Sequence, residues 1–285
     1  MSGRTSASLP HRAPTSGRGR PAALAALTVL TGFIAVTTSG CGGSPSDQLD
    51  LVESGALTVC THVPNAPFQI ERAGQIVGFD VDVMNLVANR LDLEQRTIQM
   101  PSGAVASGIG LNNSRCDVVA SGLAITEERR RLMDFSDPYL IVHHTLFVRK
   151  GSGIRSLDDA RGHRVGVQQD TTSEEYAKAG GVRAETFRDS DAQLAALRAG
   201  RLDAVIQDGP VVNHWLTDAR NRAEFEIAHV TQESEQYGYA VRRSGNHLLL
   251  RMINQTLDQT KADGSYLEIV KRWMGEVPRS PMPGR

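Results

Sequence analysis

The feature that most constrains the fold is an alternation, from residue 50 onward, of short apolar segments with segments of helical periodicity. The apolar segments have the length of buried strands, and they lie at 56–61, 117–121, 164–168 and 204–207. Helices are predicted at 78–91, 171–179, 192–198, 248–261 and 266–274 from apolar residues at helical spacing or from capping signals. This alternation predicts an α/β protein with mainly parallel sheets flanked by helices.

The segments group into two similar blocks, one near 55–125 and one near 162–210. Two extended segments, 139–150 and 237–243, connect or follow them. We therefore expect two α/β lobes that are joined by two strand-like crossings. In open α/β sheets ligands bind beyond the carboxyl ends of the strands, so residues that follow the short strands are the candidates for a site.

Three polar residues at strand ends suit the two charged groups of an α-amino acid. Arg129 offers a guanidinium that can form two parallel hydrogen bonds to a carboxylate. Thr172 opens a helix whose free N–H groups can bind an anion, and Asp208 can bind an ammonium group. Each has a simpler alternative: a solvated charge for Arg129, an N-cap with Glu175 for Thr172, and a turn before Gly-Pro for Asp208.

The charge of the chain divides into two unlike parts. The whole chain has 31 basic and 32 acidic residues, but the first 40 residues contain four arginines and no acid. The remainder keeps 27 basic against 32 acidic residues, a net charge of −5. Neither value gives the polycationic surface that nucleic acid requires, so we expect no nucleic-acid partner. The apolar fraction of 40% is that of a globular protein.

The N-terminal segment has the pattern of an export signal at 1–40. A basic region precedes a 16-residue apolar run at 21–36, which is shorter than the roughly 20 residues of a spanning helix. Small residues before Cys41 resemble a bacterial lipobox, although Thr38 stands where that motif usually has leucine. We expect Cys41 to be acylated and followed by a flexible linker at 41–49; ordinary signal cleavage or a retained anchor are the alternatives.

Cys60 and Cys116 would then lie outside the cytoplasm, where disulfides persist. They either pair or remain free thiols. Both fall in or beside apolar strand-like segments, where buried unpaired cysteines are common, and this favours free thiols.

Several motifs resemble those of the family 3 extracellular solute-binding proteins, the polar amino acid receptors of ABC importers. The resemblance covers about 50–276 in collinear order. The motifs are GFDVD (78–82), ITEER (125–129), DFSDPY (134–139), RVGVQ with TTSEEY (164–176), AGRLDAV (199–205) and KADGSY with KRWMG (261–275).

The resemblance implies a two-lobed periplasmic-binding-protein fold, the Venus flytrap, with two hinge strands near Val142 and Tyr237. Lobe one would comprise 50–142 and 238–276, lobe two 143–237, and a disordered tail 277–285.

The same resemblance assigns ligand roles to residues of this chain. It implies that Arg129 and Thr172 bind the ligand α-carboxylate and that Asp208 binds the α-amino group. The other predicted ligand-binding residues are Ser121, Gly122, Gln168, His62, Asn65 and Phe68.

Several positions depart from the family pattern, including His62 and Asn65. His62 stands where an acid is frequent, and Asn65 stands where an aromatic lid is usual. The missing acid argues against a lysine or arginine ligand. Gln168, at a position that reads the ligand side chain, and His62 suit a neutral polar or acidic side chain.

The resemblance implies a monomer that captures an amino acid or a close derivative by lobe closure and delivers it to an ABC importer permease. No catalytic residue, metal or cofactor is expected. Adjacent residues His143 and His144 would point to opposite faces of a strand and could not chelate together. Two alternatives share the fold: a sensor without transport, and a periplasmic dehydratase, which needs a general acid in the cleft.

Overall fold

The computed structural model describes residues 48–275. The strands are β1 (Ala56–Thr61), β2 (Ile70–Arg72), β3 (Gln75–Val77), β4 (Glu94–Gln99), β5 (Val118–Val119), β6 (Met133–Phe135), β7 (Leu140–Val142), β8 (His144–Arg149), β9 (Val165–Gln168), β10 (Ala184–Phe187), β11 (Ala204–Asp208), β12 (Phe225–Val230), β13 (Glu235–Tyr237) and β14 (Ala240–Arg242). The helices are α1 (Phe79–Arg90), α2 (Ser102–Ala106), α3 (Ile109–Asn112), α4 (Glu127–Arg130), α5 (Thr172–Ala179), α6 (Ser190–Arg198), α7 (Gly209–Trp215), α8 (Ala219–Glu224), α9 (His247–Asp263) and α10 (Ser265–Met274).

Several predictions fall outside the described residues: the export signal at 1–40, Cys41 with most of the linker, and the tail at 277–285. Within 48–275, no helix combines the length and the apolar character needed to span a membrane.

Two five-stranded sheets carry the fold, and both are mixed rather than mainly parallel. The first has the order β4-β1-β5-β14-β6, and the second has the order β10-β9-β11-β8-β12. In the first sheet β14 runs antiparallel to both of its neighbours, and in the second β8 does the same. Both strands enter their sheets by short connections from the crossing segments. A strand that pairs in parallel with the strand before it needs a long crossover connection, usually a helix, and these short connections contain no helix.

The two crossing segments pair with each other. β7 and β13 form an antiparallel ladder in which Val142 lies opposite Glu235 and Leu140 opposite Tyr237. The chain thus passes between the sheets at the two places where hinge strands are expected. The α/β class is confirmed, and the lobe limits at 142/143 and 237/238 stay predictions.

Helix α1 shows how the sequence fixes an element against the first sheet. It buries Phe79, Val83 and Val87, as the helical spacing at 78–91 predicts. Gly78 precedes it with φ 152°, and a Cβ on Gly78 would lie 2.0 Å from the carbonyl oxygen of Phe68. Only glycine permits this close approach of two backbone segments.

The cap of α5 differs from the prediction by one residue. Thr171, not Thr172, is the N-cap, and its hydroxyl accepts the backbone N–H of Glu174 at 3.3 Å. Thr171 has the extended backbone conformation that an N-cap requires. The hydroxyl of Thr172 is consequently available for another partner.

The expectation of free thiols is wrong, because Cys60 and Cys116 form a disulfide. Cys60 lies on β1, and Cys116 lies two residues before β5, the parallel neighbour of β1. The pairing of the strands brings the two Cα atoms to 5.7 Å, within the range that a disulfide spans. Strand adjacency, which local composition does not reveal, decides the outcome.

We predict that Cys60→Ala/Cys116→Ala lowers the free energy of unfolding by about 2–4 kcal/mol, because the disulfide closes a long loop in the unfolded chain. The two cysteines are 56 residues apart. Urea unfolding of the variant and of the unsubstituted protein measures the difference. Adding a reductant should destabilise only the unsubstituted protein, and equal midpoints with and without reductant would contradict the disulfide.

Candidate functional site

A cleft of about 490 Å³, partly open to solvent, lies between residues of the two sheets. Its lining includes polar residues at the ends of four strands. His62 follows β1, Ser121 comes two residues after β5, and Gln168 and Asp208 end β9 and β11. The strand ends therefore converge as predicted for an open α/β sheet.

Arg129 is a buried cation in this cleft, with 9% of its surface exposed. It is the third residue of α4, and the hydroxyl of Thr126 accepts its backbone N–H at 3.1 Å. One guanidinium nitrogen donates to the carbonyl oxygen of Ala124 at 3.0 Å, and another donates to that of Asp170 at 3.1 Å. Burial lowers the pKa of Arg129, while nearby carboxylates such as Glu175 oppose the shift. The neighbouring Arg130 is exposed, so only Arg129 faces the cleft.

Asp170 connects the two sheets across the mouth of the cleft. It follows β9, and its carboxylate accepts the hydroxyl of Ser102, which begins α2, at 3.0 Å. Together with the Arg129 contact, this gives a direct link between the segments that flank the two sheets. A Cβ on Gly103 would lie 2.9 Å from the Asp170 carboxylate. The two sides therefore meet without any side chain at that position.

Thr172 lines the cleft at the start of α5. Its hydroxyl donates to the carboxylate of Glu235 on β13 at 2.7 Å. The first backbone N–H groups of a helix have no partner within the helix, and anion binding at this helix start stays a prediction.

Asp208 accepts several hydrogen bonds that the sequence did not indicate. The hydroxyl of Ser173 lies 3.3 Å from one of its oxygens, and Nδ1 of His144 lies 3.3 Å from the same oxygen. The hydroxyl of Tyr237 donates to the other oxygen. Each carboxylate oxygen has two acceptor positions, so Asp208 retains capacity for a further donor in the cleft.

His144 lies between two carboxylates. Its Nδ1 faces Asp208, and its Nε2 lies 3.4 Å from Glu235. Burial alone would lower the pKa of His144, but hydrogen bonds to the two carboxylates outweigh it and raise the pKa to about 9. At neutral pH the residue is therefore an imidazolium that balances one of two negative charges.

His144, Asp208 and Glu235 place donor atoms within 4.8 Å of one another, a donor set that divalent cations also accept. Each ring nitrogen of His144 already points at a carboxylate, so this geometry is that of a bridging imidazolium. His143 turns away and its Nδ1 contacts the carbonyl oxygen of Thr231 at 2.9 Å. The two adjacent histidines thus have different partners, as strand alternation predicts.

His62, Asn65 and Ser121 form one group on the cleft wall. The Ser121 hydroxyl accepts the backbone N–H of His62 at 3.0 Å, and its carbonyl oxygen accepts the Asn65 amide at 3.4 Å. Nδ1 of His62 contacts the carbonyl oxygen of Met100 at 3.3 Å, whereas its Nε2 is buried and has no partner in the described part of the chain.

Two predicted ligand residues have other roles. Phe68 is fully buried in the core, where its ring packs against Phe79 and Tyr237, and it is absent from the cleft lining; its contact with a ligand stays a prediction. Gly122 lines the cleft with φ 55°, but its N–H donates to Asp80 at 2.7 Å. A Cβ on Gly122 would lie 3.1 Å from the Phe68 ring, so Phe68 supports the cleft from behind.

Asp80, the central acid of the GFDVD motif, organises this support. Its carboxylate also accepts the amide of Gln69 at 2.7 Å and the hydroxyl of Tyr239 at 3.2 Å. Burial raises the pKa of Asp80 to about 6, although the hydrogen bonds, first that of Gly122, oppose the shift. Asp80 is 1% exposed and is absent from the cleft lining.

Sequence reasoning missed five residues that contact the predicted set, namely His144, Ser173, Glu235, Tyr237 and Asp170, and it also missed Ser102, which contacts Asp170. Asp208 lies opposite His144 in the ladder of β11 and β8. This register comes from long-range pairing, and no local pattern signals it.

The sequence pattern of the bacterial extracellular solute-binding proteins, family 3, matches residues 57–276. The ABC transporter glutamine-binding protein GlnH of Bacillus subtilis (strain 168) is 30% identical over 210 residues, 72% of this chain and 76% of GlnH.

Two solved structures are similar in fold as well as in sequence. A mutant of ArgBP from T. maritima has a TM-score of 0.72 and 33% identity, over 78% of this chain and 96% of its own. The ancestral amino acid-binding protein AncCDT-1, a precursor of cyclohexadienyl dehydratase, has a TM-score of 0.71 and 30% identity, over 77% and 96%. These likenesses confirm the two-lobed periplasmic-binding-protein fold.

We predict that His144 makes stability depend on pH. Its folded-state pKa of about 9 lies above the value of about 6.5 in an unfolded chain. The stabilisation is therefore complete below pH 6.5 and is lost as the pH rises through 9, with a total on the order of 3 kcal/mol. Urea unfolding at pH 6, 7.5 and 9.5 measures it.

In His144→Gln this alkaline loss should disappear. The matched control is His247→Gln, which changes an exposed histidine at the start of α9 and should keep the loss. The same pH dependence in all three proteins would contradict the role of His144.

Proposed function

Because the chain belongs to the bacterial extracellular solute-binding proteins of family 3, we propose that its cleft captures an α-amino acid or a close derivative. In this proposal Arg129 and the start of α5 at Thr172 bind the α-carboxylate. Asp208 binds the α-ammonium group, and Ser121, Asn65, His62 and Gln168 contact the rest of the ligand.

The observation that carries the proposal is the state of Arg129. The guanidinium has five N–H groups, and hydrogen bonds to Ala124 and Asp170 engage two of its nitrogens. Within residues 48–275 its side chain forms no salt bridge, although it is buried in the same cleft as Asp208. A ligand carboxylate supplies the missing acceptor, and its α-ammonium then faces the acid.

Delivery to an ABC importer permease is the second part of the proposal. The name of GlnH assigns that protein to an ABC transporter, and both named structures belong to binding proteins. A monomer that closes on its ligand and then docks on a permease fits this family. A sensor without transport is the alternative, and a permease or ATPase gene beside this one favours transport.

A dehydratase is the other alternative, because AncCDT-1 is a precursor of such an enzyme. Dehydration needs a general acid that reaches the ligand. Asp80, a carboxyl whose pKa burial raises to about 6, lies behind the cleft and is engaged by Gln69 and Gly122. We therefore propose a non-catalytic binding role.

We also propose that acylation of Cys41 anchors the protein outside the cytoplasm. The Gly-Ser-Pro stretch after Cys41 would be a flexible tether that leaves the cleft-bearing part free to move.

Arg129→Ala should weaken amino acid binding by about 2–5 kcal/mol, since it leaves the ligand carboxylate unpaired in a closed cleft. This corresponds to a rise in Kd of roughly 30-fold to several thousand-fold. Isothermal titration calorimetry against the amino acid that stabilises the protein most in a thermal-shift screen gives the two Kd values.

Arg130→Ala is the matched control, because it removes an exposed arginine of the same helix and should leave the Kd unchanged. An unchanged Kd in Arg129→Ala would contradict the proposed site. An equal loss of affinity in Arg129→Ala and Arg130→Ala would contradict it as well.

Cys41→Ser should abolish lipid attachment and move the protein from the membrane fraction to the soluble extracytoplasmic fraction. Metabolic labelling with a clickable fatty acid, followed by fractionation, measures both effects. Ser44→Ala, three residues further along, is the control and should keep the label. A label that persists in Cys41→Ser would rule out this anchor.

A further inference from the structure

We propose that a buried relay of three glutamines, Gln193, Gln207 and Gln168, fixes the hydrogen-bonding polarity of the cleft wall and selects an amino acid whose side chain ends in a primary carboxamide. Gln193 and Gln207 are positioning residues, and Gln168 contacts the ligand. The inference rests on the proposed amino acid binding and deepens it.

The relay begins at Gln193 on α6, which is 0% exposed. One end of its amide lies 2.9 Å from the carbonyl oxygen of Gly166 and 3.1 Å from that of Ile206. Both partners are acceptors only, so this end must be the NH2 group. The other end, its oxygen, therefore points toward Gln207.

Gln207, 2% exposed on β11, receives a fixed orientation from two sides. Its nitrogen donates to the oxygen of Gln193 at 3.1 Å. Its oxygen accepts the backbone N–H of Asp208 at 2.9 Å. If the Gln207 amide were flipped, its oxygen would face the oxygen of Gln193 and its NH2 would face the N–H of Asp208, and both contacts are unfavourable. The orientation is therefore set by backbone groups of the neighbouring strands β9 and β11.

The orientation passes to Gln168, which is 4% exposed and lines the cleft. The nitrogen of Gln207 lies 3.2 Å from the oxygen of Gln168. That oxygen is therefore occupied, and the NH2 group of Gln168 has no partner among the described residues. The cleft wall consequently offers a neutral donor at this position.

His62 offers the complementary group on the opposite side of the cleft. Its Nδ1 faces the carbonyl oxygen of Met100 and must carry the proton, so in the neutral ring Nε2 is an acceptor. Nε2 is buried and unpartnered in the described part of the chain. A buried acceptor without a donor is unfavourable, and a ligand donor removes that cost.

One donor and one acceptor on the same cleft match a carboxamide, whose oxygen accepts from Gln168 and whose NH2 donates to His62. An ammonium or guanidinium side chain has only donors and would leave the Gln168 NH2 unpaired. A carboxylate has only acceptors and would place a lone pair against the acceptor Nε2 of His62. The carboxamides of glutamine and asparagine therefore satisfy both groups.

The ligand ranking of the unsubstituted protein tests this directly. Isothermal titration calorimetry at pH 7.5 should give a Kd for glutamine or asparagine at least about tenfold lower than those for glutamate, ornithine and norleucine. These ligands keep the α-amino acid group and change only the side-chain terminus. A cationic or acidic ligand that binds more tightly overturns the carboxamide assignment.

Gln168→Glu tests the polarity, because a carboxylate can still accept from Gln207 but presents an acceptor to the cleft. We expect the ratio of glutamine to ornithine affinity to fall at least about tenfold. Gln193→Leu removes one of the two contacts that orient Gln207, at a position that does not line the cleft, and should also lower the affinity ratio. An unchanged ratio in both variants contradicts the relay.

Asn221→Ala is the matched control for lost stability. Asn221 is also buried beside the second sheet, and its amide donates to the carbonyl oxygen of Trp215 at 2.7 Å, outside the cleft. It should lower the melting temperature but keep the affinity ratio. If it lowered the ratio as much as Gln193→Leu, the effect of Gln193 would be structural and the relay would be rejected.

Failure of this inference differs from failure of the proposed function. If no amino acid binds, the proposed function fails and the relay has no ligand to select. If an amino acid without a carboxamide binds best and Arg129→Ala abolishes that binding, the proposed function stands and the relay inference fails.

Discussion

The buried guanidinium of Arg129 is the constraint on which the rest of the site depends. A cation with 9% exposure must replace its lost hydration with acceptors. The chain supplies two backbone carbonyls, one from Ala124 beside the first sheet and one from Asp170 beside the second. The position of one side chain therefore couples the relative placement of both sheets to the electrostatics of the cleft.

The negative side of the cleft is balanced more locally. Asp208 lies on β11 of the second sheet and Glu235 lies on the crossing strand β13. The imidazolium of His144 lies between their carboxylates. Glu235 and Tyr237 belong to the crossing strand β13, so the acid proposed to bind the ligand amine is hydrogen-bonded to a strand that runs between the two sheets.

Periodicity and motif spacing predicted most of the elements and placed Arg129, Thr172 and Asp208 at strand ends that do converge. The order of residues along the chain was sufficient for these predictions, because the position where a strand ends is set by neighbouring residues. It failed where long-range pairing decides: the antiparallel entry of β8 and β14, the Cys60–Cys116 bond and the pairing of His144 with Asp208. The burial of Phe68 behind Gly122 was not evident from the sequence for a related reason, since it depends on packing between distant segments.

The hydrogen-bonding polarity that the glutamine relay gives to the cleft wall does not depend on pH or salt. None of its three side chains titrates, and its orientation is set by backbone carbonyl and amide groups that do not titrate either. Screening by salt weakens interactions between charges but leaves a buried amide–amide hydrogen bond largely unchanged. Members of this extracellular or periplasmic family meet external acidity and salinity, and this wall presents the same pattern of donors and acceptors wherever the fold persists.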